Sequence, residues 1–210
     1  MTTSEQSRTI AIVSAGLSQP SSTRLLADRL ADAAVRELED LGHPVRVENI
    51  ELRDLAHPVV DAMLTGFATG DLARAQEAVT GADGVIAVTP VFTSSFSGLF
   101  KSFWDILDPD ALSGMPVLLG ATGGTARHSL ALEYAVRPLF TYLHADTVPT
   151  SVFAATDDWA ASAADTGAGL PRRIERAGRE FARRAAQRQD DGPADPFAST
   201  PSFTELLGGS

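Results

Sequence analysis

Residues 9–30 read TIAIVSAGLSQPSSTRLLADRL, and this stretch decides the fold. The apolar, β-branched run Thr9–Ser14 is typical of a strand that is covered on both faces. From Ser22 onward apolar residues recur at helical spacing, and Gly42 stands where such a helix ends. A buried strand that passes through a short loop into a helix is the repeating unit of a parallel α/β sheet.

The same alternation continues along the rest of the chain. Further strands are predicted at Val45–Ile50, Gly84–Thr89, Pro116–Ala121 and Thr147–Ala154. Further helices are predicted at Asp71–Thr80, Gly98–Leu107, Arg127–Leu143 and Leu170–Arg188, whereas residues 51–70 read as irregular. These elements predict a flavodoxin-like α/β sandwich of three layers, with a five-stranded parallel sheet of order 2-1-3-4-5.

Length and composition indicate one domain over residues 1–188. The chain has 210 residues, of which 44% are hydrophobic and 21% charged, as in ordinary globular proteins with a sizeable core. Residues 189–210 are polar and interrupted by Pro and Gly, which predicts a flexible tail. The alternative for the tail is that Phe203–Leu207 docks on a partner subunit.

The net charge, and the lack of a membrane span, a signal segment and cysteines, argue against several classes of protein. A formal net charge of −10 argues against nucleic acid and anionic membranes as partners, because both are polyanions. No apolar run approaches the roughly 20 residues of a membrane span, and no secretory signal begins the chain, so a cytoplasmic protein is expected. There are no cysteines, and the four histidines lack metal-ligand spacing, so we predict no metal site.

In sheets of this kind ligands bind beyond the carboxyl ends of the strands, near the switch point between strands 1 and 3. The loop after strand 1 carries five hydroxyl side chains, those of Ser14, Ser18, Ser21, Ser22 and Thr23. The N-terminus of a helix favours an anion, and hydroxyls add neutral donors there. A helix cap explains only one of these hydroxyls, so the cluster predicts a phosphate site.

Two more loops end at the same edge of the sheet. After strand 3 the chain reads TPVF (89–92) and continues with further apolar residues, which suits the surface of a flat aromatic ligand or a subunit interface. After strand 4 it reads GATGGT (120–125), where two glycines allow close approach of a ligand or a tight turn. The helix face with Phe100, Phe103 and Trp104 suits either an interface or the core.

These loops together resemble the NADPH-dependent FMN reductase family, over roughly residues 9–155. The most specific stretches are TPVFTSSFSGLFKSFWDIL (89–107) and ATGGTARHSLALEYAVRPLF (121–140). They are similar to the branch of alkanesulfonate-type reductases, which pass reduced FMN to a flavin-dependent monooxygenase. The resemblance implies FMN, NADPH or NADH as co-substrate, and a homodimer or homotetramer with the flavin at the interface.

The resemblance also implies a set of flavin contacts. The five hydroxyl residues of the first loop are expected to contact the phosphate. The ribityl chain and the ring are expected to contact Pro90, Val91, Phe92 and Thr93. The edge of the ring is expected to contact Thr122, Gly123 and Gly124. Tyr134 matches a tyrosine that lies in an interface helix of this branch, next to a helical bulge.

The first loop departs from the family in one respect. Family members often carry G-S-x-R there, whereas this chain reads AGLS (15–18), with Ser18 at the arginine position. The predicted phosphate contacts are therefore hydroxyls and backbone N–H groups, with Arg24 as a possible helper. Such an uncharged site is compatible with a flavin that binds and leaves as a substrate.

No side chain stands out as a catalytic acid, base or nucleophile. This suits hydride transfer from a nicotinamide to a flavin, because the cofactors supply that chemistry themselves. We therefore predict binding residues and no catalytic residues. The alternatives are a reductase of quinones, azo dyes or chromate that retains FMN, and a flavodoxin-like electron carrier without a nicotinamide site.

Overall fold

A parallel sheet with helices on both faces forms the centre of the computed structural model, which describes residues 7–160 and 169–188. The tail prediction, including Phe203–Leu207, lies outside the described residues. The long strands are β1 (Arg8–Ser14), β2 (Val45–Glu51), β3 (Gly84–Phe92) and β5 (Pro116–Gly123), and all four run parallel. The predicted α/β architecture and the predicted positions of these strands are confirmed.

The predicted count of five strands is wrong, because the sheet has seven strands within the described residues. Five of them lie side by side in the order β2-β1-β3-β5-β6, where β6 is Asp146–Thr147. The short strand β4 (Ser95–Phe96) folds back antiparallel onto the end of β3. The expected fifth strand, Thr147–Ala154, is divided into β6 (Asp146–Thr147) and β7 (Val152–Ala155), both paired with β5. Pro149 lies in the gap and cannot donate a ladder hydrogen bond, which explains the division.

Side chains replace sheet hydrogen bonds across the gap between β6 and β7. Glu180 accepts from the N–H of Thr150 at 3.0 Å and from its hydroxyl at 2.9 Å. Glu133 accepts from the hydroxyl of Ser151 at 2.6 Å. Arg137 pairs with Glu133 and donates to the carbonyl oxygen of Val148 at 3.1 Å. Two carboxylates therefore hold the interrupted strand in place.

We expect this anchoring to weaken in acid. Hydrogen bonds from Arg137, against the effect of burial, lower the pKa of Glu133 below its ordinary value of 4.5. Burial alone would raise the pKa of Glu180, but hydrogen bonds from Arg176 and Thr150 outweigh it and lower that pKa as well. A carboxyl whose folded pKa is lowered stabilises the fold above its unfolded pKa, and this contribution disappears as the pH falls through the folded pKa.

Glu180→Gln should therefore lower the free energy of unfolding by about 1 kcal/mol at pH 7 and by much less at pH 3. Urea denaturation at several pH values measures the difference between wild type and variant. Glu175→Gln, on the same helix, is the control, because Glu175 is exposed. A difference that stays constant from pH 7 to pH 3 would contradict the proposed role of the charge.

The helices form the two outer layers. Helices α1 (Ser22–Asp40) and α7 (Leu170–Gln187) cover one face of the sheet. The other face is covered by α2 (Ala56–Thr65), α3 (Gly70–Thr80), α4 (Gly98–Asp105) and α5 (Arg137–Tyr142). The short helix α6 (Thr156–Ala160) follows β7. No described helix is long and apolar enough to cross a membrane.

The prediction of an irregular segment over residues 51–70 is wrong. A 3₁₀ turn, Leu52–Leu55, leads into α2, and Gly66 ends that helix in the left-handed conformation with φ of 80°. Only Val59 and Ala62 of α2 are buried, so its apolar stripe is too narrow to give a clear helical period in the sequence.

The predicted single helix Arg127–Leu143 is wrong as well. It consists of a 3₁₀ turn (Ala126–His128), a π-helical turn (Leu132–Val136) and α5. Pro138 explains the π turn, because its ring clashes with the carbonyl of residue 134 in a regular α-helix and it has no N–H to donate. Tyr134 lies within this π turn.

The aromatic face of α4 belongs to the core. Phe100, Phe103 and Trp104 are at most 1% exposed, and Trp104 contacts Phe140 edge to face with ring centroids 4.8 Å apart. The alternative of an interface for these three residues is therefore excluded. Their burial also fixes the start of α4, directly after the hairpin of β3 and β4.

Candidate functional site

A cavity of about 420 Å³ opens at the carboxyl end of the sheet, where three loops meet. The first loop follows β1, the second is the hairpin of β3 and β4, and the third follows β5. Helix α6 closes the fourth side. The residues that line the cavity are Leu17, Ser18, Ser22, Thr23, Pro90, Val91, Phe92, Thr122, Gly123, Gly124, Ala154, Thr156 and Trp159.

The first loop turns tightly around the N-terminus of α1. Ser21 is the N-cap of the helix, and its hydroxyl accepts from the N–H of Arg24 at 3.2 Å. Gly16 lies so close to this cap that a Cβ atom on it would overlap Ser21 Oγ. Ser18 and Ser22 are exposed and line the cavity. The N-terminus of α1, with its unpaired N–H groups, and the hydroxyls of Ser18 and Ser22 therefore lie at the same part of the cavity.

A pair of buried threonines joins the first loop to the third. The hydroxyls of Thr23 and Thr122 are 2.8 Å apart, and the two residues are 2% and 4% exposed. Ser14 is also buried, and among the described residues no partner lies within hydrogen-bonding distance of its hydroxyl. Thr23 and Thr122 thus line the cavity with largely buried side chains, and Ser14 is buried at the end of β1.

Nearby arginines leave little net charge at the first loop. Arg24 binds Asp28 at 2.6 Å and Glu51 at 2.7 Å, so the predicted helper is paired with two carboxylates. A second arginine, Arg53, was not predicted from the sequence. It donates to the carbonyl oxygen of Ser18 at 3.3 Å. It also pairs with Glu51 at 3.3 Å. Both guanidinium groups are therefore largely neutralised where they stand.

The hairpin holds the apolar wall of the cavity. The hydroxyl of the fully buried Thr89 accepts from the N–H of Ser97 at 3.1 Å, which ties the end of β3 to the start of α4. Thr93 and Ser94 form the turn with positive φ values of 49° and 70°. Such a two-residue turn matches the twist of the two strands, although a β-branched residue rarely adopts it. Phe92 stands 46% exposed beside this turn.

The third loop approaches the cavity with its backbone. A Cβ atom on Gly123 would lie 2.8 Å from the ring of Phe153, so only glycine fits between the loop and β7. Around Gly124 there is open space on the cavity side. The backbone of this loop is therefore accessible to a ligand at Gly124 and closely packed at Gly123.

This geometry agrees with a comparison of the sequence with known families. Residues 8–160 match the family described as NADPH-dependent FMN reductase. The chain belongs to this family. The match includes all three loops and extends to the end of α6, so the family resemblance seen in the sequence is confirmed.

Two family members illustrate the relationship. An FMN reductase (NADPH) from Pseudomonas aeruginosa is 35% identical over 152 residues, which are 71% of this chain and 78% of that protein. The NADH-dependent FMN reductase SfnE from Pseudomonas putida is 38% identical over 151 residues, 72% of this chain and 78% of that protein.

Solved structures share the fold. An oxidoreductase from Corynebacterium diphtheriae superposes with a TM-score of 0.81 at 44% identity, covering 89% of this chain and all of that chain. A flavodoxin, WrbA-like protein from Agrobacterium tumefaciens superposes with a TM-score of 0.54 at 18% identity, covering 86% and 96%. The second likeness concerns the fold alone, and it confirms the flavodoxin-like architecture.

The site fits the flavin nucleotide of an FMN reductase on two structural grounds. The phosphate end of the cavity has helical N–H groups, the hydroxyls of Ser18 and Ser22, and a glycine at position 16 where any side chain would intrude. The hairpin of β3 and β4 contributes an apolar wall, with Val91 and Phe92. A polar loop and an apolar wall in one cavity match a phosphate and an isoalloxazine ring.

The structure brings nine of the thirteen predicted contact residues to the cavity and places four elsewhere. Ser14 is buried beneath the first loop, and Ser21 caps α1. Thr93 lies in the hairpin turn, and Tyr134 stands 79% exposed on the π turn. The flavin contacts of all thirteen stay a prediction.

Sequence reasoning missed the fourth wall of the cavity. Thr156 and Trp159 follow β7, and Trp159 lines the cavity while lying half-buried against α1. The signal was available, because the carboxyl ends of all parallel strands meet at one edge of a sheet. The residues that follow the last strand therefore lie at the same edge of the sheet as those that follow the first.

Proposed function

We propose that this protein is an NAD(P)H-dependent FMN reductase that supplies reduced FMN to a separate monooxygenase. The observation that carries the proposal is a single cavity lined by hydroxyls at the N-terminus of α1 and by an apolar wall from the hairpin. Membership of the FMN reductase family supports the same reaction. NADPH and NADH both stay open as donors, because the names of relatives contain both.

The protein's contribution is binding and orientation. When bound, the isoalloxazine ring supplies the chemistry that accepts a hydride from the nicotinamide. Pro90, Val91 and Phe92 form an apolar surface that orients a flat ring and limits water beside it. Gly124 leaves backbone accessible at the ring edge. We assign no general acid or base, in keeping with hydride transfer between two cofactors.

The phosphate site supports release of the flavin after reduction. Arg24 and Arg53 lie beside the first loop, but Glu51 pairs with both and Asp28 with Arg24. The phosphate would then be held by neutral donors. Hydrogen bonds from neutral donors bind a phosphate less strongly than a bidentate arginine does. A flavin held in this way suits a substrate that moves to a partner enzyme.

We also propose that the protein forms a homodimer or homotetramer. Several large apolar side chains are exposed on the layer of α2, the π turn and α5: Val60, Met63, Leu64, Phe67, Leu130, Tyr134 and Tyr142. Exposed large apolar side chains concentrated on one layer are typical of interfaces. Light scattering coupled to size exclusion measures the molar mass in solution.

Steady-state oxidation of NADH and NADPH, with and without added FMN, tests the reaction. We expect turnover that depends on FMN, and a flavin that is lost on gel filtration. Turnover with a quinone by a flavin that remains bound would favour a reductase that retains FMN. Absence of NAD(P)H oxidation with FMN present would refute the proposed reaction.

The phosphate contacts are best tested at Ser18 and Ser22, which line the cavity and whose hydroxyls make no hydrogen bond with the described residues. The double variant Ser18→Ala/Ser22→Ala should weaken FMN binding roughly tenfold, because two solvent-exposed hydroxyl hydrogen bonds, each with a net contribution of about 0.7 kcal/mol, are lost. Riboflavin lacks the phosphate, so its affinity should stay within twofold. Fluorescence titration of both flavins measures the effect.

Ser113→Ala, at the opposite end of β5, is the matched control for this pair. Ser21 and Thr23 are less suitable positions, since one caps α1 and the other is buried against Thr122. Equal weakening of FMN and riboflavin by the double variant would mean that these hydroxyls do not contact the phosphate.

A further inference from the structure

Trp159 forms the wall of the cavity beside the N-terminus of α1. It lines the cavity together with Ser22, Thr156 and Gly124. It also packs on α1, because the guanidinium carbon of Arg29 lies 5.0 Å from the centre of its ring. Ser22 and Arg29 are seven residues, or about two turns, apart on α1, so Trp159 lies beside the N-terminal part of this helix.

The position of the indole is fixed from two directions. On one side Arg29 contacts the ring, and among the described residues this arginine has no carboxylate partner. On the other side the neighbouring Asp158 accepts from the N–H of Ala155 at 2.8 Å and pairs with Arg173 at 2.7 Å. Arg173 in turn donates to the carbonyl oxygen of Phe153. The short helix α6 is therefore anchored to β7 and α7, with its tryptophan at the rim.

An aromatic wall at this end of the cavity is not explained by FMN. The phosphate of FMN is its terminal group, and the donors for a phosphate lie at Ser18, Ser22 and the first N–H groups of α1. Beyond the phosphate a mononucleotide has no group that an indole would bind. A dinucleotide does, because an adenosine follows its phosphates, and adenine stacks well on tryptophan.

We propose that Trp159 is the binding platform for the adenosine of a dinucleotide, and that Arg29 is the positioning residue that holds the indole. This inference rests on the proposed function, because it assumes a flavin phosphate at the N-terminus of α1. The adenosine has two chemical sources. It belongs either to FAD bound in place of FMN, or to NAD(P)H whose nicotinamide lies on the flavin ring.

Trp159→Leu, which removes the flat ring, separates these sources. If FAD is the source, its dissociation constant rises on the order of tenfold, while those of FMN and riboflavin stay within twofold. If NAD(P)H is the source, KM for the nucleotide rises by a similar factor at saturating FMN, and this rise exceeds any change in kcat or in FMN affinity. Either result supports the platform. Trp159→Phe should retain most of the affinity, because it keeps an aromatic face.

Arg29→Gln tests the positioning role, with Arg36→Gln as its matched control on the same face of α1, two turns further from the cavity. Arg29→Gln should lower the affinity for the dinucleotide relative to FMN by a fewfold, and Arg29→Lys should restore the ratio. Arg36→Gln should leave the ratio unchanged. The ratio of affinities is the readout, because a general loss of structure changes both ligands together.

Three results would overturn the platform. They are an unchanged affinity for both dinucleotides in Trp159→Leu, an equal loss for FMN and the dinucleotides, and tighter binding of FAD, which would identify the indole as a steric barrier. Each of these results is distinct from failure of the proposed function. If the proposed function is wrong, the wild-type protein will bind neither FMN nor riboflavin and will oxidise no NAD(P)H.

Discussion

Replacing Arg8 with alanine is expected to lower the free energy of unfolding by about 3 kcal/mol, because it leaves a partly buried carboxylate without its cation. Arg8 is 5% exposed and binds Asp83 at 2.7 Å. It also donates to the carbonyl oxygens of Ala186 and Arg188, at 2.7 and 2.9 Å. One side chain therefore joins β1, the start of β3 and the end of α7.

Urea denaturation measures this loss, and Arg46→Gln is the control, since Arg46 forms a surface pair with Glu48 and is 74% exposed. Arg8→Lys should lose less than Arg8→Ala, and it keeps the comparison available if the alanine variant does not fold. Arg8 lies at the amino end of the sheet, far from the cavity, so FMN affinity of the folded variant should be unchanged. A loss below about 1 kcal/mol would contradict the role of this ion pair.

The long strands could be predicted from sequence because each is buried on both faces. Thr9–Ser14 and Gly84–Thr89 are continuous apolar runs, and a strand between two helical layers needs such a run. The departures occur where side chains or proline override the local pattern. Pro149 divides the last strand, and Pro138 opens the π turn around Tyr134. The periodicity of apolar residues indicates neither the break in the strand nor the π turn.

The site could be predicted as far as its three loops, since the order of strands places them at one edge. What the sequence could not supply was the direction of single side chains. Ser14 and Ser18 look equivalent as loop hydroxyls, yet one is buried and the other lines the cavity. Ion pairs between residues far apart in the sequence could not be predicted either. One example is Glu51, at the end of β2, which pairs with Arg24.

Gly16→Ala is expected to weaken FMN binding roughly 100-fold, because the added Cβ atom displaces the loop that holds the phosphate. That atom would overlap Ser21 Oγ and lie 3.1 Å from the Cβ atoms of Ser21 and Thr23. The N-cap of α1 would be lost, and the helical N–H groups would no longer align with a phosphate. Loss of two hydrogen bonds to a charged group accounts for the expected factor. Riboflavin should lose much less affinity.

A second substitution shows whether crowding at Ser21 causes the loss. In Gly16→Ala/Ser21→Gly the overlap with Ser21 is removed, and glycine is nearly as good an N-cap as serine. FMN affinity should then recover by at least tenfold. Gly98→Ala is the matched control, because a Cβ atom there meets nothing within 4 Å. A double variant as weak as Gly16→Ala would place the cause elsewhere, and an unaffected Gly16→Ala would mean that the phosphate does not bind against this turn.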